Sequence, residues 1–293
     1  MTKPAINDLA RDVAKAAATA AGDVDRSARF PVEAVDALRE AQLLSCCLPE
    51  ELGGRGTTVT ELAAVARTMG AACSSAAMVF AMHHTQALTL AHHGTAGPIA
   101  ELTAAIARDE SLLASATTEI TTGGDVGRST CAVERDGDTV ILEKTAPVIS
   151  YGAVADYICT TARRGPDAEP SDQVLVVCPA ADTTLEQIST WDVLGFRGTC
   201  SPGFLLKTRT SADNVLPVDY STISASTMLP GSHTLWASVW QARASRGDPI
   251  RLSLRQSDAY ARRGPLTIAG ECCAPVRLVA WWRCAEFLLR AGN

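Results

Sequence analysis

The residues best suited to chemistry lie in one stretch, Thr117-Thr118-Glu119-Ile120-Thr121-Thr122-Gly123-Gly124-Asp125-Val126-Gly127-Arg128-Ser129. Small hydroxyl side chains followed by paired glycines make a polar loop rich in accessible backbone, of the kind that wraps a cofactor. The same composition also suits a plain junction between domains, so the surrounding sequence has to decide. The stretch sits where the chain changes character. Ala-rich segments with helical spacing precede it, and short β-branched runs parted by Asp, Gly and Pro follow it.

Two other groups of reactive side chains read as structural. Met82-His83-His84 and His92-His93 crowd four histidines into one helical segment. Adjacent helical side chains diverge by about 100°, and no pair has the i,i+4 spacing that puts two imidazoles on one face. They are expected to pack or to line a pocket, with no metal bound. The ten cysteines include the adjacent pairs Cys46-Cys47 and Cys272-Cys273 and no C-x-x-C spacing. Adjacent cysteines do not readily share one tetrahedral ion, so the set reads as reduced, mostly buried small hydrophobes.

The elements that must position the loop follow from periodicity. Ile6, Leu9, Ala10, Val13, Ala14 and Ala17 have the three-and-four spacing of an amphipathic helix over 5–22. Pro31 opens a second helix with Val35, Leu38 and Ala41 inward. Leu48-Pro49-Glu50-Glu51-Leu52-Gly53-Gly54-Arg55-Gly56 breaks the helical pattern. Thr58 and Glu61 have capping-box spacing before a third helix. Ser74 or Ser75 is expected to cap a fourth over 76–91, and Pro98 to begin a fifth over 98–108. From Leu112 the period shifts towards two. A hairpin turns at Asp136-Gly137-Asp138 between 130–135 and 139–143, and 156–162, 173–178 and 203–208 are further strands. No helix separates these strands, so the sheet is expected to be largely antiparallel. Helical spacing returns over 227–240.

The fold class is therefore α+β multidomain. An N-terminal all-α helical domain (1–111) precedes a middle antiparallel β-barrel or sandwich domain (112–226) and a truncated or irregular C-terminal helical segment (227–293). After Gln241 the text is rich in Arg, Cys and Trp, lacks lysine, and is interrupted by Pro249, Gly264, Pro265, Gly270 and Pro275. It reads as a displaced reading frame in a GC-rich gene, although 277–290 has apolar runs compatible with a helix.

The chain has 293 residues, 47% of them hydrophobic, and a formal charge of −6, with a pI near 5.4. That balance argues against a general nucleic-acid binder. No run is long and apolar enough to span a bilayer, and Met1-Thr2-Lys3-Pro4 leads into an amphipathic stretch rather than a signal sequence. The protein reads as cytoplasmic.

Three segments in register resemble the acyl-CoA dehydrogenase family. Leu48–Gly54 is similar to its P-E-E-x-G-G turn, Thr118–Asp125 to its T-E-x-x-x-G-S-D flavin loop, and Trp191–Thr199, followed by Ser201, to its l-G-m-R-g-T strand-loop. The resemblance runs from about Ile6 to Trp240 and implies FAD as cofactor. It places Thr117, Thr118, Gly123, Gly124 and Ser150 against the cofactor, and Gly124 and Asp125 beside an acyl-CoA substrate. It further implies α,β-dehydrogenation of an acyl thioester in lipid metabolism, by a carboxylate base and hydride transfer to the flavin. An electron-transfer flavoprotein or a flavin reductase would be the redox partner, and the enzyme would be a homodimer or homotetramer.

The sequence also departs from the family. Ile120 replaces a proline, Gly124 a hydroxyl residue, and Pro147-Val148 an aromatic pair. Asp248, Asp258, Glu271 and Glu286 lie in no matching context, so no catalytic residue is assigned and activity is expected to be impaired. A flavin-dependent monooxygenase of the same fold, or an inactive fragment serving only as a binding module, are the alternatives.

Overall fold

A computed structural model describes residues 4–244. Five helices come first: α1 (Ile6–Ser27), α2 (Val32–Glu40), α3 (Val59–Ala72), α4 (Ser74–His93) and α5 (Ile99–Arg108). The amphipathic spacing of α1 is realised in full, with Ala10, Val13, Ala17, Ala20 and Val24 buried. The expected capping box opens α3: Thr58 Oγ1 accepts from Glu61 N–H, while the Glu61 carboxylate accepts from Thr58 N–H at 2.9 Å. Helix α4 is buried on almost every side and forms the spine of the helical layer.

One cap differs from expectation. Cys73, not Ser74 or Ser75, stands at the start of α4 and makes no side-chain cap. Ser75 Oγ instead accepts from Gly198 N–H at 3.2 Å. The hydroxyl is used to hold the strand-loop that resembles l-G-m-R-g-T.

Seven strands follow: β1 (Leu113–Ala116), β2 (Glu134–Asp136), β3 (Thr139–Ala146), β4 (Tyr157–Arg163), β5 (Gln173–Pro179), β6 (Thr183–Gln187) and β7 (Phe204–Ser211). They form a three-stranded sheet in the order β1-β4-β5 and a four-stranded sheet in the order β2-β3-β7-β6. The expected β2–β3 hairpin is present, with Gly137 at φ +60° in its two-residue turn, a conformation that suits glycine. Strands β3 and β7 alternate between buried and open faces, whereas the residues within β4 and β5 are buried on both faces.

Pairing is antiparallel except between β1 and β4, which run parallel. Parallel neighbours need a long crossover. Here the crossover is the 117–131 loop together with the β2–β3 hairpin, which belong to the other side of the β region. The loop of interest is thus the first part of the connection between two parallel strands.

After β7 come α6 (Tyr220–Ile223), a π-helical turn (Ser224–Met228) and α7 (Leu229–Ala244). Met1–Ala242 forms one compact unit. Within it Gly70 of α3 packs tightly on α7, where an added Cβ would lie 3.0 Å from that of Ala242. No described helix is long and apolar enough to cross a membrane. The expected helix over 277–290, and the rest of the altered text after Ala244, lie outside the described residues.

His83 and His84 of α4 are packing residues with polar duties. His83 Nε2 donates to the Leu44 carbonyl at 2.7 Å, and its Nδ1 accepts from Leu113 N–H at 3.0 Å. His84 Nε2 donates to the Leu43 carbonyl at 2.9 Å. Burial pushes His83 down to about 4 and His84 well below the usual range, so both are neutral. Cys46, Cys47, Cys131, Cys159 and Cys178 are free and buried, Cys73 is buried, and Cys200 is half-buried.

Gly198 is a tight junction between the helical layer and the β region. A Cβ there would lie 2.4 Å from Val24 Cγ1, 2.9 Å from the Arg29 carbonyl oxygen and 3.0 Å from Ser75 Cβ. Gly198→Ala is expected to lower stability by about 1–3 kcal/mol, read as a shift of the urea unfolding midpoint at unchanged slope.

Candidate functional site

The 117–131 loop is held by one buried carboxylate. Glu119 is 3% exposed, and its carboxylate accepts from Thr130 N–H at 2.8 Å, Thr130 Oγ1 at 2.5 Å, Cys131 N–H at 3.3 Å and the Ser129 hydroxyl. The start and the end of the loop are thereby tied to each other. Lys144 Nζ lies 3.3 Å from the same carboxylate, with its own side chain wholly buried. It also donates to the Thr161 carbonyl and to Thr161 Oγ1, at 2.7 and 2.8 Å.

Burial alone raises the Glu119 carboxyl, but the Ser129 and Thr130 hydrogen bonds and the Lys144 ammonium outweigh it and hold it at about 2. Burial lowers Lys144, opposed mainly by the Glu119 charge. A charge pair in a dry interior is maintained only when its remaining donors and acceptors are satisfied, and here they are. In the sequence Glu119 appears only as the acid of the Thr118–Asp125 motif, and Lys144 in no motif at all. The signal was present in β3, where Val140, Leu142, Lys144 and Ala146 share the inward register. A lysine in an apolar register demands an acid partner.

The pair places the other predicted residues. Thr117 and Thr118 are half-buried at the end of β1. Thr117 lies beside β4, with Thr161 Oγ1 3.5 Å from its carbonyl oxygen. Ile120 N–H donates to the Thr145 carbonyl at 3.2 Å, so the loop leaves along the end of β3. Four residues further along the chain from Ala146 is Ser150, also half-buried, with its Oγ 2.8 Å from Ser201 Oγ. Thr117 and Thr118 thus follow the end of β1, and Ser150 follows the end of β3, the strand end that Ile120 reaches.

Gly123, Gly124 and Asp125 behave differently. They are exposed at the outer part of the loop, Gly123 has φ +59°, and nothing lies within 4 Å of a Cβ added at either glycine. Asp125 Oδ1 accepts from Gly127 N–H at 3.0 Å, closing a local turn. No hydrogen bond connects Gly124 or Asp125 to Ser150 among the described residues.

The loop's far end rests on the 163–173 segment, through Ser129 N–H to the Pro170 carbonyl, Arg163 to the Thr130 carbonyl and Gln173 to the Val126 carbonyl. In the Trp191–Thr199 loop, Arg197 is spent structurally on the Asp25 and Val193 carbonyls, each at 2.8 Å. The Trp191 indole N–H is buried without a partner among the described residues. Beside the strand ends Val148 is 42% exposed and Ile120 56%.

The groups gathered here are neutral hydroxyls, backbone amides and short apolar side chains. They are suited to holding a planar, uncharged heterocycle by hydrogen bonds. Among the described residues, depressions lie between the 47–59 turn and the end of α4 and beside Arg39 and Asp156. Neither includes the loop.

Residues 2–110 match the family model described as acyl-CoA dehydrogenase, N-terminal domain. Cyclohex-1-ene-1-carbonyl-CoA dehydrogenase of Geobacter metallireducens is 30% identical over 162 residues, covering 55% of this chain and 43% of that protein. The probable acyl-CoA dehydrogenase YngJ of Bacillus subtilis is 26% identical over 215 residues, covering 72% and 57%. The chain spans about half the length of these curated relatives. Among solved structures, FMN-bound TdsC from Paenibacillus sp. A11-2 is similar with a TM-score of 0.73 at 21% identity, over 98% of this chain and 73% of that one. A probable acyl CoA dehydrogenase from Mycobacterium abscessus gives 0.65 at 21% identity, over 96% and 75%. At such identities the structural likeness speaks to the fold.

Removing the Lys144 ammonium leaves Glu119 buried and uncompensated. Lys144→Met is expected to cost about 3–5 kcal/mol, measured by urea unfolding at pH 7. Because the folded Glu119 carboxyl titrates at about 2 against an ordinary 4.5, its stabilisation is complete above the ordinary value and is lost as pH falls between the two. Glu119→Gln should remove that part of the acid slope, read from unfolding midpoints at pH 5, 4 and 3.

Proposed function

Because the chain belongs to the acyl-CoA dehydrogenase family, we propose that it is an FAD-dependent oxidoreductase whose 117–125 loop and Ser150 hold the isoalloxazine ring. The observation that supports this reading is the buried Glu119–Lys144 pair, which ties the loop following Thr117 and Thr118 to β3, the strand that leads into Ser150. The residues present fit the group. A flavin ring edge needs neutral donors and acceptors, and the half-buried Thr118 and Ser150 hydroxyls and the adjacent backbone supply them. Open space over Gly123 and Gly124 leaves room for close approach by a cofactor or a thioester.

When bound, the flavin supplies the redox chemistry and the protein supplies placement. Thr117 and Thr118 orient the ring by backbone and hydroxyl hydrogen bonds, and Ser150 offers a hydroxyl from the neighbouring strand end. Gly124 and Asp125 border the substrate. The reaction proposed is α,β-dehydrogenation of an acyl-CoA, with an electron-transfer flavoprotein or a flavin reductase as redox partner. The exposed Val148, where the family resemblance expects an aromatic wall, favours a second reading, an oxygen-using flavin monooxygenase.

The test is reconstitution with FAD followed by reduction. A yellow protein that bleaches with acyl-CoA supports the dehydrogenase, and one that bleaches only with a reductase supports the monooxygenase. A colourless protein after FAD addition contradicts both. Thr118→Val and Ser150→Ala are each expected to weaken FAD binding about fivefold, the effect of about one hydrogen bond, measured by flavin fluorescence titration.

A further inference from the structure

Ser150 is clamped between two segments that meet face to face. Ile149 N–H donates to the Pro202 carbonyl at 3.0 Å, and Tyr151 N–H donates to the Thr199 carbonyl at 2.8 Å and the Cys200 carbonyl at 3.1 Å. Each segment carries a left-handed residue at the contact, Tyr151 at φ +44° and Cys200 at φ +44°. Left-handed backbone is costly for a bulky aromatic and for cysteine, and it persists where the surroundings over-determine it, as at ligand clamps. The strained geometry sets Ser201 directly against Ser150.

The side chains between the segments form a chain of hydroxyls. Thr199 Oγ1 is 3.0 Å from the Phe196 carbonyl oxygen and 2.8 Å from Ser201 Oγ, and Ser201 Oγ is 2.8 Å from Ser150 Oγ. Thr199 and Ser201 are buried, and Ser150 alone is half-open. A hydroxyl has one proton to donate and two lone pairs to accept with. With the Thr199 proton on the Phe196 carbonyl, the Ser201 proton goes to Ser150 Oγ at 2.8 Å, a shorter contact than the Thr199 carbonyl oxygen at 3.3 Å. Ser150 then accepts from within, and its own proton has no acceptor among the described residues.

We propose that Ser201 is a positioning residue, which donates to Ser150 Oγ and so sets Ser150 as a hydrogen-bond donor towards the flavin. The inference rests on the reading of Ser150 as a flavin-holding residue. Without the inner donor, the Ser150 hydroxyl is free to rotate and to turn its proton inward, and the donor facing the ring is lost. Thr199 is the buried inner end of the same chain and keeps Ser201 in place.

The full chain is titrated with FAD as wild type, Ser201→Ala, Ser201→Thr, Ser150→Ala and the Ser150→Ala/Ser201→Ala double variant. The visible flavin spectrum is recorded for each, with melting temperatures of the FAD-free proteins as the control for folding. Ser201→Ala is expected to weaken FAD about five- to tenfold and to shift the bound flavin's visible band. Ser201→Thr, which keeps the hydroxyl, should restore affinity to within about twofold. In the Ser150→Ala background, Ser201→Ala should add no further loss, because its effect passes through Ser150. Wild-type affinity and spectrum in Ser201→Ala overturn the inference, as does an equal loss with and without Ser150, which marks a packing role. Failure of the wild-type chain to bind FAD is seen before any substitution and overturns the flavin reading itself, and this inference with it.

Discussion

A buried ion pair, Glu119 with Lys144, governs the geometry of the candidate site. Glycine-rich loops lose much conformational freedom on ordering, and this one carries Gly123, Gly124 and Gly127 within five residues. Left to itself such a loop would sample many shapes. The Glu119 carboxylate gathers the Thr130 and Cys131 amides and the Ser129 and Thr130 hydroxyls, and so closes the loop on its own start. Lys144 then fastens that carboxylate to β3 and, through Thr161, to β4. One charge pair therefore couples the loop to both sheets.

The helical layer is coupled to the same strands by a second polar hub. His83 joins the Leu44 carbonyl to the first amide of β1, Leu113. The buried Glu110 carboxylate accepts from Leu44 N–H, Ser45 N–H and the Ser45 hydroxyl, and burial raises its affinity for a proton. Tyr151 hydroxyl donates to the Leu113 carbonyl at 2.9 Å. Strand β1 is thus fixed at its start by α4 and by the segment that carries Ser150. The threonines at its end inherit that placement. Rigid support of this kind is what a cofactor site needs to hold a ring at a defined position.

Much of this was legible in the sequence. The α1 stripe, the Thr58–Glu61 capping box and the Gly137 hairpin are local, and local spacing reports them faithfully. The parallel β1–β4 pair was not legible, because it joins residues that are separated by the whole loop and hairpin. Strand β6 was missed because Thr183–Gln187 is mostly open to solvent and shows no apolar alternation. Ser75 looked like a cap and serves Gly198 instead, a partner more than a hundred residues away. Lys144 stood in a readable register, but its partner lies in a loop with no register of its own. The hydroxyl chain at Ser150 was equally hidden, since it depends on how two distant turns meet.

In the proposed function, the threonines after β1 and the 147–152 segment together grip a flavin. Amide hydrogen exchange with and without saturating FAD tests this most directly. The prediction is slower exchange confined to 117–131 and 147–152, with α1 and β5 unchanged. Protection located at the 47–59 turn, or no protection of 117–131 on FAD addition, would contradict it.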